Sequence, residues 1–228
     1  SCSFTVTVSD NQLPVINCAS NISTPTGFTP LAFYPLITNL VDITNNFGNI
    51  NLLGNPTPPA TPGVGNPLCF NGIYLGNTNG QNAMTPNISS LNATNFRLNV
   101  DFKLNAYPTS GAGFPVIMGG DAYRWIGVYM NTSGEVGIKY NNSIQVFSTT
   151  TLNLNQWYTA SLTYANNTIT LSIDNAEVLV QNVVPLVTGS NYTFLTNDYS
   201  NGASLNGCIR NLQISNGTST CGSIVYYT

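Results

Sequence analysis

From Trp157 to Ile173 apolar and polar residues alternate with a period of two, broken at Ala165-Asn166-Asn167 and stopped at Asp174-Asn175. That period is the signature of a half-buried β-strand. Paired Asn and Asp residues tolerate the positive φ angles of tight hairpin turns. In Trp157-Tyr158-Thr159-Ala160-Ser161-Leu162-Thr163-Tyr164 one face carries Trp157, Thr159, Ser161 and Thr163. The other carries Tyr158, Ala160, Leu162 and Tyr164, and this second face is expected in the core.

The same reading extends along the C-terminal two thirds. Strands are predicted over 96–104, 116–118, 125–130, 136–140, 144–147, 157–164, 168–173, 178–180, 193–195, 208–214 and 223–227. Turn chemistry such as Asn131-Thr132-Ser133-Gly134 and Asn141-Asn142 separates them. Many short antiparallel strands without a convincing helix predict an all-β fold, an antiparallel β-sandwich of jelly-roll type. Trp125 and Trp157 are expected in its core.

Only 6% of the 228 residues are charged, with 5 basic and 8 acidic side chains and no histidine. Folded domains normally carry about a quarter charged residues, so the surface must be solvated by other means. Eight N-x-Ser/Thr sequons, at Asn21, Asn87, Asn92, Asn131, Asn141, Asn166, Asn191 and Asn216, point to covalent N-glycans. Of these, Asn131, Asn141, Asn166 and Asn191 fall at expected turns. The basic residues form no stripe for phosphate, which disfavours nucleic acid, and no apolar run is long enough to span a membrane.

Five cysteines without a C-x-x-C pair fit disulfides in an oxidising, extracellular or cell-surface setting. Spacing favours Cys208 with Cys221 and Cys18 with Cys69. Cys2 is left over, as a free thiol or for a partner outside the chain. No signal sequence opens at Ser1, so the chain is expected to be mature or excised from a longer one.

Three segments are expected. Residues 1–18 hold a strand, Phe4 to Val8, with no sequence neighbour to pair with. Residues 19–68, rich in Pro, Asn and Thr, form an irregular linker with a short strand or helical turn over 36–43. Residues 69–228 form the sandwich.

Four motifs in order resemble the laminin G-like, or concanavalin A-like, jelly roll: Phe96-Arg97-Leu98-Asn99-Val100-Asp101-Phe102-Lys103, Asn155-Gln156-Trp157-Tyr158 and the strand it opens, Thr168 to Asn175, and Gly207-Cys208-Ile209-Arg210-Asn211. The resemblance covers about residues 69–215. It implies a sandwich shared by adhesion modules, lectins and glycosidases. It also implies a calcium ion at Asp121 and Asp198; the competing reading is that each carboxylate bonds its own turn. Separately, Cys2 to Asn11 with Pro14 to Cys18 resembles the closing strand of a hyalin repeat.

Catalysis is not expected. The absence of histidine removes Ser-His and Cys-His schemes, and the acids Asp10, Asp42, Asp101, Asp121, Glu135, Asp174, Glu177 and Asp198 form no E-x-D-x-x-E cluster. Tyr123, Trp125, Tyr129 and Tyr199 are candidates for stacking on sugars.

Two functions follow. In one, the chain is a structural subunit of a fibre or surface layer, with Phe4, Val6 and Val8 adding to the sheet of another copy. In the other, it is a carbohydrate- or matrix-binding module among neighbouring domains of a longer chain.

Overall fold

The computed structural model describes residues 27–37, 40–53, 67–72, 81–109, 114–120, 126–141, 144–183, 192–196 and 205–217. Among them run β1 (Phe28–Tyr34), β2 (Asn51–Leu53), β3 (Leu68–Asn71), β4 (Asn82–Met84), β5 (Asn95–Leu104), β6 (Phe114–Gly120) and β7 (Ile126–Met130). They continue as β8 (Glu135–Tyr140), β9 (Ile144–Thr151), β10 (Trp157–Ala165), β11 (Thr168–Ile173), β12 (Ala176–Asn182), β13 (Thr193–Leu195) and β14 (Asn206–Gly217). One sheet has the order β1-β14-β5-β10-β11-β12, with β3 also paired to β14. The other has the order β2-β4-β13-β6-β7-β8-β9. Every pairing is antiparallel, as the jelly-roll expectation requires.

The core is built by the period-two pattern. Phe96, Leu98, Val100, Phe102 and Leu104 of β5 face inward, as do Tyr158, Ala160, Leu162 and Tyr164 of β10. Their aromatic rings meet across the strands: Phe96 lies 5.9 Å from Tyr164 and Phe102 lies 6.0 Å from Tyr158. The hairpins on either side of β11 turn through Asn166 and Asn167 (φ 51° and 58°) and through Asp174 and Asn175 (φ 50° and 66°). Two consecutive left-handed residues give the strand twist that a two-residue hairpin needs.

The stretch 19–68, expected as an irregular linker, supplies two strands. β1 pairs with β14 from Phe28↔Gly217 to Tyr34↔Leu212 and buries Ala32 and Tyr34, and β2 pairs with β4. Pro30 is accommodated because β1 is an edge strand whose register shifts between Pro30 and Ala32. The regular element therefore precedes 36–43, where the described residues hold no strand. Leu36 is left-handed at φ 57° there, and Asp42 anchors a loop.

The disulfide pairing also differs from expectation. Cys69 is bonded to Cys208, not to Cys18, and Cys208 is not bonded to Cys221. The reason is register: β3 lies on β14 with Cys69 directly opposite Cys208, their Cα atoms 4.0 Å apart. Spacing along the chain carries no information about such a cross-strand neighbour 139 residues away. Cys2, Cys18 and Cys221 lie outside the described residues, as do the strands expected over 4–8 and 223–227.

Candidate functional site

Residues that face away from the core on β5, β10 and β14 form one polar cluster around an aromatic ring. Register sets Trp157 opposite Lys103, and Asp101 between Thr159 on one side and Arg210 on the other. Asp101 Oδ1 accepts the Thr159 hydroxyl at 2.7 Å. Its Oδ2 accepts Arg210 Nε at 3.2 Å and Asn211 Nδ2 at 2.9 Å. The Arg210 guanidinium lies 4.2 Å from the centre of the Trp157 ring, and Lys103 Nζ lies 5.7 Å from it.

A backbone irregularity aims one member of this cluster. β14 shifts register between Arg210 and Gln213, and Asn211 within the bulge is left-handed (φ 53°) and donates its N–H to Pro35 O. Without that bulge Asn211 would face the core, since Arg210 faces out. With it, Asn211 joins Arg210 at Asp101. At the near end, Thr159 N–H donates to Asp174 Oδ1 at 2.8 Å, which ties the β11–β12 turn to the cluster. Arg210 remains 38% exposed, and among the described residues its terminal Nη groups have no partner. Fixed donors beside a half-buried indole suit an oligosaccharide, which offers hydroxyl acceptors and an apolar ring face.

Trp157 is therefore not in the core, contrary to expectation. It opens β10 on the outward face of the alternation that buries Tyr158. Tyr129, expected as an exposed sugar-stacking ring, is buried, with Lys139 Nζ 5.1 Å from its ring. Asp121, Asp198, Tyr123, Trp125 and Tyr199 lie outside the described residues. Among those described, no three acidic or cysteine side chains converge on a point.

Of the sequons, Asn87, Asn92 and Asn166 are exposed, whereas Asn131, Asn141 and Asn216 are half-buried. Asn131 Nδ2 donates to Glu135 at 2.6 Å and Asn216 Nδ2 to Ser90 O at 3.0 Å. Asn216 sits inside β14, not in a turn. Asn21 and Asn191 lie outside the described residues. Asp101, Lys103 and Arg210 passed as scattered charges in the sequence. Their shared parity with Trp157 on paired strands is the signal that unites them.

The profile of the concanavalin A-like lectin/glucanases superfamily, of laminin G type, matches residues 76–224, more than half of the chain. The chain belongs to this superfamily. No curated protein matches it in sequence. Solved structures match in fold. Domain 4 of AbnA, a GH43 extracellular arabinanase from Geobacillus stearothermophilus solved with arabinotriose, superposes with a TM-score of 0.62 at 17% identity, over 85% of this chain and 95% of that one. A sialidase from Trypanosoma rangeli gives 0.63 at 15% identity, covering 83% of this chain and 30% of the enzyme. The binding domain of botulinum neurotoxin serotype D gives 0.59 at 14% identity, covering 84% and 49%. This member of the superfamily thus spans nearly all of the arabinanase domain but under half of the other two chains. At such identities the likeness is one of fold.

Proposed function

We propose that this chain is a non-catalytic carbohydrate-binding module of an extracellular protein, and that its ligand lies across β5, β10 and β14. The observation that carries the reading is Trp157, half-buried on an outward sheet face beside Arg210, whose terminal donors have no partner among the described residues. The arabinanase domain solved with arabinotriose supports it as a fold of nearly the same extent used in a sugar complex. The Cys69–Cys208 disulfide supports an oxidising compartment. Binding is proposed to be independent of calcium, because the implied ligands Asp121 and Asp198 would give only two carboxylates.

Titration calorimetry with arabino-oligosaccharides and with a panel of neutral and acidic oligosaccharides tests this. Trp157→Ala is expected to weaken binding about tenfold, a loss of about 1.4 kcal/mol, at unchanged melting temperature. Chelator is expected to leave the affinity unchanged. Binding that survives both Trp157→Ala and Arg210→Ala would remove the site, and release of reducing sugar from any of these ligands would remove the non-catalytic assignment.

A second reading, a structural subunit that joins further copies of itself, is favoured by a separate observation. The eight-residue strand β9, Ile144-Gln145-Val146-Phe147-Ser148-Thr149-Thr150-Thr151, is an edge strand among the described residues and carries no charge and no proline.

A further inference from the structure

Sheet edges expose unpaired backbone N–H and C=O groups, and folded proteins shield them with charge, proline, bulges or a covering loop. The two ends of this sandwich are treated differently. At the β1 edge a loop closes over the strand: Phe33 N–H donates to Asp42 Oδ1, Phe33 O accepts from Ile43 N–H, and Leu31 O accepts from the Thr44 hydroxyl and from Asn46 Nδ2. At the opposite end β9 and β12 come within 8 Å of one another between Cα atoms, yet no ladder joins them.

Among the described residues β9 is paired only to β8. The register shift between Glu135 and Gly137 bends its far end and leaves 144–147 regular. Ile144 is opposite Tyr140 and so shares its face, which is the core face. Tyr140 is buried there, but Ile144 is 42% exposed. Val180, on β12, is 49% exposed. An inward-facing isoleucine left open on an uncharged edge marks a position where one more strand would complete the layer.

We propose that β9 accepts residues 3–9 of a second copy of this chain as an added antiparallel or parallel strand. The proposal rests on the reading of the chain as a self-assembling subunit and assigns that reading its receiving surface. Ser3-Phe4-Thr5-Val6-Thr7-Val8-Ser9 is seven residues long against the eight of β9, is likewise uncharged, and alternates so that Phe4, Val6 and Val8 share one face. Paired on β9, that face would continue the row of Ile144 and Val146. Gly27, the first described residue, leads into β1, one edge of a sheet whose other edge, β12, lies beside β9 and is about 24 Å from β1 across five strand spacings. A segment preceding β1 that pairs with β9 of another copy makes a heterologous contact, which forms a ring where its rotation closes and an open filament where it does not.

Sedimentation velocity over a hundredfold range of concentration, on Cys2→Ser chains so that Cys2 forms no bridge while Cys69–Cys208 stays intact, tests the proposal. The full chain is expected to form concentration-dependent oligomers. A chain lacking residues 1–9 and the variant Ile144→Lys are each expected to remain monomeric at an unchanged melting temperature. A synthetic peptide of residues 1–10 is expected to bind the shortened chain at least tenfold more tightly than a shortened chain that also carries Ile144→Lys. Should Ile144→Lys fail to fold, Thr149→Lys, at an exposed position on the same strand, replaces it. If the full chain assembles and both edge variants assemble equally, the acceptor is not β9 although the assembly reading stands. If the full chain is monomeric throughout and the peptide binds nothing, the assembly reading itself fails. A monomeric full chain whose melting temperature falls on deletion of residues 1–9 would show pairing within one copy and overturn the proposal.

Discussion

Phe33 donates its backbone N–H to Asp42 Oδ1 at 2.9 Å across the open side of β1, so a carboxylate nine residues on takes the place of a neighbouring strand. Asp42 is 1% exposed and also accepts from Thr44 N–H, the Thr44 hydroxyl, Asn46 N–H and Phe47 N–H. Burial by itself would raise the Asp42 carboxyl, but these donors outweigh it and hold it below the usual carboxylate value. A group whose folded pKa is depressed contributes stability above its unfolded value, near 3.9, and loses it as pH falls through the folded value. Thermal melts are therefore expected to drop steeply below about pH 4. Asp42→Asn is expected to cost roughly 1.5–3 kcal/mol at pH 7 and to flatten that acid limb. An acid limb of unchanged slope in the variant would clear Asp42 of the effect.

Joining Cys69 to Cys208 closes a loop of 139 residues. In the chain-entropy account such a loop stabilises by about 5 kcal/mol, and native disulfides typically give about 2–5. Urea unfolding with and without reductant is expected to differ by an amount in that range. Non-reducing peptide mapping is expected to recover the linked pair; a peptide joining Cys208 to Cys221 would contradict it.

Arg210 touches Asp101 through Nε and the Trp157 ring through its planar guanidinium. Lysine supplies the charge without the planar fork. Arg210→Lys is therefore expected to lose most of the binding lost by Arg210→Ala, while stability changes by less than about 1 kcal/mol because the ion pair is partly solvated. Full retention of affinity in the lysine variant would reduce Arg210 to a point charge.

Exposed Asn166 stands at the tip of the β10–β11 turn, whereas Asn131 and Asn216 commit Nδ2 to Glu135 and Ser90. Glycan transfer needs that nitrogen. Glycopeptide mapping of material from a glycosylating host is expected to find higher occupancy at Asn87, Asn92 and Asn166 than at Asn131 and Asn216. Equal occupancy across the five would sever the link between these hydrogen bonds and modification.

Asn175 is left-handed at φ 66°, a conformation that costs a side-chain-bearing residue about 1 kcal/mol. Asn175→Gly is expected to be neutral or to stabilise by a few tenths of a kcal/mol, and Asn175→Val to destabilise by about 1–2 kcal/mol. Chemical denaturation midpoints check both; a tolerated valine would mean that the turn has changed type.

What the sequence determined by itself was local. The alternation over Trp157 to Ile173 set which side of β10 and β11 is buried, because side chains of a strand point to opposite faces in turn, and the Asn-Asn and Asp-Asn pairs marked the turns because they tolerate positive φ. The superfamily was legible for the same reason, in four short motifs in order. Only the tertiary structure decided what lies beside what. Cys69 meets Cys208 because β3 and β14 are neighbours, Asp101 meets Arg210 and Trp157 because three strands distant in sequence run side by side, and β1 emerges from a Pro-rich stretch because β14 offers it an edge. Pairing across a sheet depends on register between remote segments, and that register is set by the closure of the whole sandwich.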